Sequence, residues 1–155
     1  MTPRTDAGPV RDGRPPAAMV GAMNPLLRSA LRSPLGAVMR PLALLEFTGP
    51  RSQRRFRVPV GWHLVDGQPV VFTPASWRVN FRGGAQVLVY RHGRRQRMIG
   101  TLDTDAEEVA TAMRVVLGAG TPARLVGLLV PVGHEVTAAD MTAQNRALVR
   151  FESAH

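Results

Sequence analysis

The residues with the greatest capacity for chemistry crowd into one stretch, Gly49-Pro50-Arg51-Ser52-Gln53-Arg54-Arg55-Phe56-Arg57. The guanidinium groups of Arg51, Arg54, Arg55 and Arg57, the Ser52 hydroxyl and the free backbone N–H donors of a turn fall between two strand-like runs. Guanidinium groups bind phosphate and carboxylate oxygens in pairs, and successive backbone N–H groups add a positive concavity, so such a loop is suited to holding an anion. The same composition also suits a solvated hairpin turn. Other chemistries lack their residues. Between Phe47 and Gly100 the only acid is Asp66, inside a turn signal, which argues against a paired-carboxylate hydrolase or a carboxylate metal site there. The four histidines are scattered without metal-ligand spacing. With no cysteine, thiolate metal sites, cysteine nucleophiles and disulfides are excluded.

A second cluster, Trp77-Arg78-Val79-Asn80-Phe81-Arg82-Gly83-Gly84, comes some fifteen residues after Trp62. The order Gly-x-Arg-Ser-x-x-x-x-x-Val-Pro-Val-Gly-Trp, then Trp-x-x-Asn-Phe-Arg-Gly-Gly, resembles the deazaflavin-dependent nitroreductase family, over about Asn24 to Asp103. That resemblance implies a split β-barrel, the deazaflavin coenzyme F420, and hydride transfer to a quinone, nitro or other conjugated acceptor. It places Arg51, Ser52 and Arg54 in a phosphate turn, with Arg55 and Arg57 extending a positive groove toward the acidic glutamyl tail. Val58, Pro59 and Gly61 would pass beneath the flat ring system. Gly61 stands where the family often has an aromatic residue, which implies a roomier substrate side. Thr73 and Ala75 match the strand end that lines the ring, Trp77 would pack on the cofactor, and Asn80 would offer a polar contact. Trp77 could also be a buried anchor of its own turn. His63 shares a strand face with Pro59 and Gly61, as a proton donor or as a plain strand histidine; no catalytic residue is assigned. Two positions depart from the family pattern: Gln53 stands where glycine is usual, and Pro50 where arginine or lysine is usual. The alternative is a non-enzymatic split-barrel protein binding a flavin such as FMN, a haem or a lipid-like ligand.

These residues need a scaffold, and 155 residues of 16.8 kDa are enough for one domain with a real core. The net charge of +9 is carried by arginine without any lysine, which favours an acidic partner. A nucleic-acid module would fit the charge. With one tyrosine and two tryptophans, however, no stacking platform alternates with the arginines, so no nucleic-acid partner is expected. No apolar run reaches the roughly 18 to 20 residues that span a bilayer. The first residues lack an apolar core and cleavage site of a signal peptide, so a cytoplasmic protein is expected.

In chain order, residues 1–23 are rich in proline and glycine and are expected to form a disordered tail, with the barrel domain over 24–155. Residues 24–40 show two short helical patterns, expected as a lid on the barrel. Their arginine-flanked apolar face alternatively suits peripheral contact with an anionic membrane. Strands are expected over 42–47, 56–65, 69–73, 85–91, 94–102 and 147–151, with hairpins at Asp66-Gly67 and His92-Gly93. A single helical turn is expected over 77–81. Thr104 and Glu107 read as a capping box ahead of a helix through Leu117. Further helices are expected from Thr121-Pro122 to Leu129 and over 137–144. The architecture is thus mainly β with helices (α+β), a split β-barrel. A homodimer is expected, with the apolar runs 85–90 and 147–151 supplying an edge or an interface.

Overall fold

The computed structural model describes residues 10–13 and 42–154. The lid or membrane-contact segment at 24–40, and the expected tail apart from residues 10–13, lie outside the described residues. A short strand, β1 (Arg11–Asp12), precedes β2 (Leu42–Thr48), β3 (Arg55–Gly61), β4 (His63–Val65) and β5 (Gln68–Thr73). A 3-10 turn over Ser76–Phe81 leads to β6 (Ala85–Arg91), β7 (Arg94–Asp103) and helix α1 (Ala106–Gly118). After a second 3-10 turn (Ala123–Val126) come β8 (Leu128–Leu129), helix α2 (Ala138–Ala143) and β9 (Ala147–Ser153). Seven strands form one antiparallel sheet in the order β3-β2-β6-β7-β9-β5-β4.

That order dictates a barrel. Its two outermost strands, β3 and β4, are separated in sequence by Trp62 alone. Consecutive Cα atoms lie about 3.8 Å apart, so the two edges are tied together and the sheet must curl. The result is an α+β fold of the split-barrel type. Period-2 alternation sends Ala43, Leu45 and Phe47 of β2, and Phe56, Val58 and Val60 of β3, into the interior. Val87 and Val89 of β6, Met98 of β7, and Val149 and Phe151 of β9 complete it. Phe81, fully buried, plugs one end edge-on to Phe47.

Part of the outer face is covered by α1. Its apolar stripe of Val109, Ala110, Met113 and Val116 joins Val70, Leu148 and Met141 in a second core. Asp105 caps α1, accepting hydrogen bonds from the N–H groups of Glu107 and Glu108, one residue later than the box expected at Thr104. Thr137 and Asp140 form a reciprocal capping box on α2.

Four expectations are corrected. The strand foreseen over 56–65 breaks at Trp62 and contributes to both edges of the sheet. The helix foreseen after Pro122 is a single 3-10 turn, because Gly127 turns the chain with φ 75° and starts β8. Residues 10–13 are not a free tail: Val10 is buried in the second core, and β1 pairs with β8. β6 and β9 are interior strands, each paired on both sides, so their apolar runs fill the barrel and supply no edge. No helix among the described residues is long and apolar enough to cross a membrane.

Candidate functional site

The arginine turn is tightly closed. Gly49 N–H donates to the Arg54 carbonyl at 2.8 Å, and Gln53 N–H donates to the Gly49 carbonyl at 2.9 Å. Ser52 Oγ accepts from the Arg54 N–H at 3.1 Å. Gln53 takes the left-handed conformation (φ 56°), which explains why glycine suits this position; its amide donates to the Pro50 carbonyl at 3.3 Å. Arg51 is exposed, and neither its guanidinium nor the backbone N–H groups of Arg51 and Ser52 make a hydrogen bond among the described residues. Arg54 lies over the Phe56 ring, 5.2 Å from its centroid.

The Trp77–Asn80 segment is brought to this turn by tertiary packing. Arg78 staples the 3-10 turn in place, donating to the carbonyls of Thr73 (3.1 Å) and Asn145 (2.7 Å) and to Asn145 Oδ1 (3.1 Å). Buried Thr73 ends β5 with its hydroxyl accepting from the Ala75 N–H at 2.9 Å. Asn80 Nδ2 donates to the Trp77 carbonyl at 2.8 Å, which fixes the amide orientation. Its Oδ1 then faces Gly49: a Cβ on that glycine would sit 3.2 Å from Asn80 Oδ1 and 2.9 Å from Ser52 Oγ. The two sequence clusters therefore meet at one point, over a glycine that leaves room for both. Aromatic rings back the site. Phe47 stacks on Phe56 (centroids 5.0 Å) and lies 5.9 Å from half-buried Trp77.

The rest of β3 divides by parity. Val58 points into the barrel with Phe56, while Arg55, Arg57, Pro59 and Gly61 share the outer face. Both outer arginines meet a residue that the sequence analysis did not single out. Glu46, 5% exposed, forms an ion pair with Arg55 and lies 3.7 Å from Arg57 Nε. Register places it directly opposite Arg57. Its one sequence clue was an acid inside an otherwise apolar run. Arg55 and Arg57 are thus partly neutralised, and Arg51 and Arg54 carry the charge at the turn itself.

Gly61 is a correction. A Cβ there would lie 2.9 Å from the Leu125 carbonyl oxygen and 3.0 Å from His63 Nε2, so the chain itself fills the space expected for substrate. Gly61 is also six residues from Arg55 along β3, about 20 Å at the rise of an extended strand. His63, 6% exposed, shares that remote end; burial lowers its pKa, partly opposed by a hydrogen bond to the Leu125 backbone. Among the described residues no group of three or more histidines or acids could hold a metal.

No protein-family model matches the chain, and no curated protein matches it. Solved structures do. One described as a domain-swapped dimer is 17% identical, with TM-score 0.48, over 73% of this chain and 81% of that one. The conserved hypothetical protein Rv2991 of Mycobacterium tuberculosis is 14% identical, with TM-score 0.47, over 93% of this chain and 84% of that one. A candidate 5-nitroimidazole antibiotic resistance protein of Bacteroides thetaiotaomicron is 9% identical, with TM-score 0.44, over 94% and 84%. Similarity this distant carries no chemistry to this chain, and the functional reading rests on its own residues.

Proposed function

We propose that this protein is a deazaflavin-dependent oxidoreductase, passing hydride from reduced coenzyme F420 to a quinone, nitro or other conjugated acceptor. The observation that supports this most is the meeting of Ser52 Oγ and Asn80 Oδ1 over Gly49, which joins the two motif halves in one cradle. The donor set suits a phosphodiester. Two uncommitted backbone N–H groups, the Ser52 hydroxyl and the Arg51 and Arg54 guanidinium groups line one exposed turn, and no acid stands within it.

When bound, the reduced deazaflavin supplies the hydride; the protein supplies position and a water-poor wall. Arg51 and the adjacent N–H groups would hold the phosphate. Arg54, laid along Phe56, keeps a guanidinium beside it without closing the turn. Trp77 would offer its partly exposed indole to the ring, and Asn80, already oriented by the Trp77 carbonyl, would present an amide oxygen to an N–H. Thr73 and Ala75 hold the start of that turn. Val58 supports β3 from inside, so Pro59 is the residue of this strand segment with an outer face to offer. A homodimer is part of the same proposal, with exposed Leu64 and Leu125, which line one cavity, as its apolar face. Sedimentation at micromolar concentration showing only monomer would remove that element.

The test is titration with coenzyme F420 by fluorescence at two salt concentrations. Arg51→Ala should weaken binding about ten- to a hundredfold, the loss of a charge-assisted hydrogen-bonding group. Wild-type affinity should fall as salt shortens the Debye length. Arg94→Ala, at the far end of the barrel, should bind like wild type. If Arg51→Ala and wild type bind alike, or neither binds, the cofactor assignment fails; tighter binding of FMN would favour the flavin alternative.

A further inference from the structure

Among the described residues Glu46 is the only acid that meets the arginines of β3. It lies on the outer face of β2, two residues after fully buried Leu44. Register sets Leu88 of β6 on one side of it and Arg57 of β3 on the other. Its carboxylate pairs with Arg55 and stands 3.7 Å from Arg57 Nε. That Nε has no accessible surface and no hydrogen-bond partner, so this edge of the Arg57 guanidinium is closed to a ligand. The two arginines and the carboxylate together carry a formal +1, against the +2 of the arginines alone. Opposite charges attract more strongly away from water than at the surface, so the buried carboxylate holds both partners.

The turn stands apart from this neutralisation. Gly49 follows Glu46 by three extended residues, about 10 Å, which is also about one Debye length at 0.1 M salt. Arg51 is exposed and unbonded, Arg54 lies over Phe56, and neither meets an acid among the described residues. The chain thus offers full positive charge at one point and reduced positive charge along the strand leading away from it. A single anionic group gains the first. A chain of carboxylates laid along β3 gains little more, and it meets Glu46.

We infer that Glu46 is a specificity-determining residue that confines anion binding to the one phosphodiester at the turn. The inference rests on the deazaflavin reading: the glutamyl tail of coenzyme F420 adds little to binding, and forms with and without the tail are accepted alike. Glu46 acts through Arg55 and Arg57 and touches no reacting atom.

The experiment is fluorescence titration of the full chain with F420 carrying a long glutamyl tail and with the form that lacks it, at low and at high salt. In wild type the two affinities should agree within about threefold at low salt. Glu46→Gln keeps the size of the side chain and releases both arginines. Exposed charge pairs change affinity by up to about fivefold each, so this variant should gain at least about threefold for the long-tailed form. The tailless form should not share that gain, and high salt should abolish it. A merely structural role would move both forms together. Arg55 is 63% exposed, so Arg55→Gln gives a second reading even if Glu46→Gln does not fold. Its affinities for the two forms should still agree within about threefold. Three results overturn the role of Glu46 and leave the deazaflavin reading standing. They are a wild type that prefers the long-tailed form by more than about threefold, a folded Glu46→Gln without the selective gain, and an Arg55→Gln that loses the long-tailed form alone. Binding of neither form by wild type removes the deazaflavin reading and this inference with it.

Discussion

Replacing Gly49 by alanine tests whether the two halves of the candidate site are in contact. The backbone does not forbid it, because Gly49 lies outside the positive-φ region. Removing a glycine would by itself stabilise the fold by about 0.4 to 1 kcal/mol through the unfolded chain. Against that, the new methyl would meet Ser52 Oγ at 2.9 Å and Asn80 Oδ1 at 3.2 Å, with the Phe56 ring edge at 3.5 Å. Overpacking of this kind costs about 1 to 3 kcal/mol, so a net destabilisation of about 0.5 to 2 kcal/mol is expected. The nearest atom identifies the source. In a Ser52→Ala background the closest clash is gone, and the alanine at position 49 should cost at least about 0.5 kcal/mol less than in wild type. Urea denaturation of the four proteins of this cycle gives the coupling directly. A Gly49→Ala protein as stable as wild type, or a penalty identical in both backgrounds, would refute the geometry from which the cradle is built. F420 affinity measured on the same variants should fall in step with the lost contact, since the displaced groups belong to the proposed phosphate turn.

Glu46→Gln should lower stability by about 1 to 3 kcal/mol in denaturant unfolding, because a buried carboxylate bonded to Arg55 would be replaced by a neutral amide. The same change frees positive charge along β3 and should tighten F420 binding, more so at low salt. Arg78→Ala removes three hydrogen bonds that staple the Ser76–Phe81 turn. It should cost about 1.5 to 3 kcal/mol and raise amide exchange in that turn, whereas exchange in α1 should not change. Asp140 supplies an acid-stability test. Burial alone would raise its pKa, but hydrogen bonds from His134 and from the Thr137 N–H and hydroxyl outweigh it and hold it below the usual 3.8. A carboxyl with a depressed folded pKa contributes stability that is fully present above the unfolded value and is lost as pH falls through the folded one. Asp140→Asn should therefore be less stable than wild type at neutral pH, and the gap should narrow below about pH 4. A gap that stays constant down to that pH would refute the assignment.

Local sequence determined most of the strands and the tight turns. The inward set on β2, β6 and β9 follows the pleat, which puts successive residues on opposite sides. However, β2 and β9 are buried on both faces, and their apolar runs alone do not show which side is which. Asp66-Gly67 and His92-Gly93 take paired positive φ angles, 52° and 80°, and 52° and 75°, because few other residue pairs accept them in a tight hairpin. Concentrated guanidinium groups around Ser52 pointed to the turn from which the proposed anion site is built. Outside these two hairpins, tertiary structure alone decided which strand pairs with which, and everything that depends on it. Trp62 sits in a continuous apolar pattern, and only the closing of the barrel makes it the corner between the two sheet edges. Glu46 looked like an interruption in a hydrophobic run until the register set it against Arg57. His63 and Gly61 matched a face expected to meet a ligand, but the Ala123–Val126 turn, more than sixty residues away in sequence, covers that face with the Leu125 carbonyl. Periodicity reports which side of a strand a residue occupies; what lies on that side is chosen by long-range packing, to which a local pattern is blind.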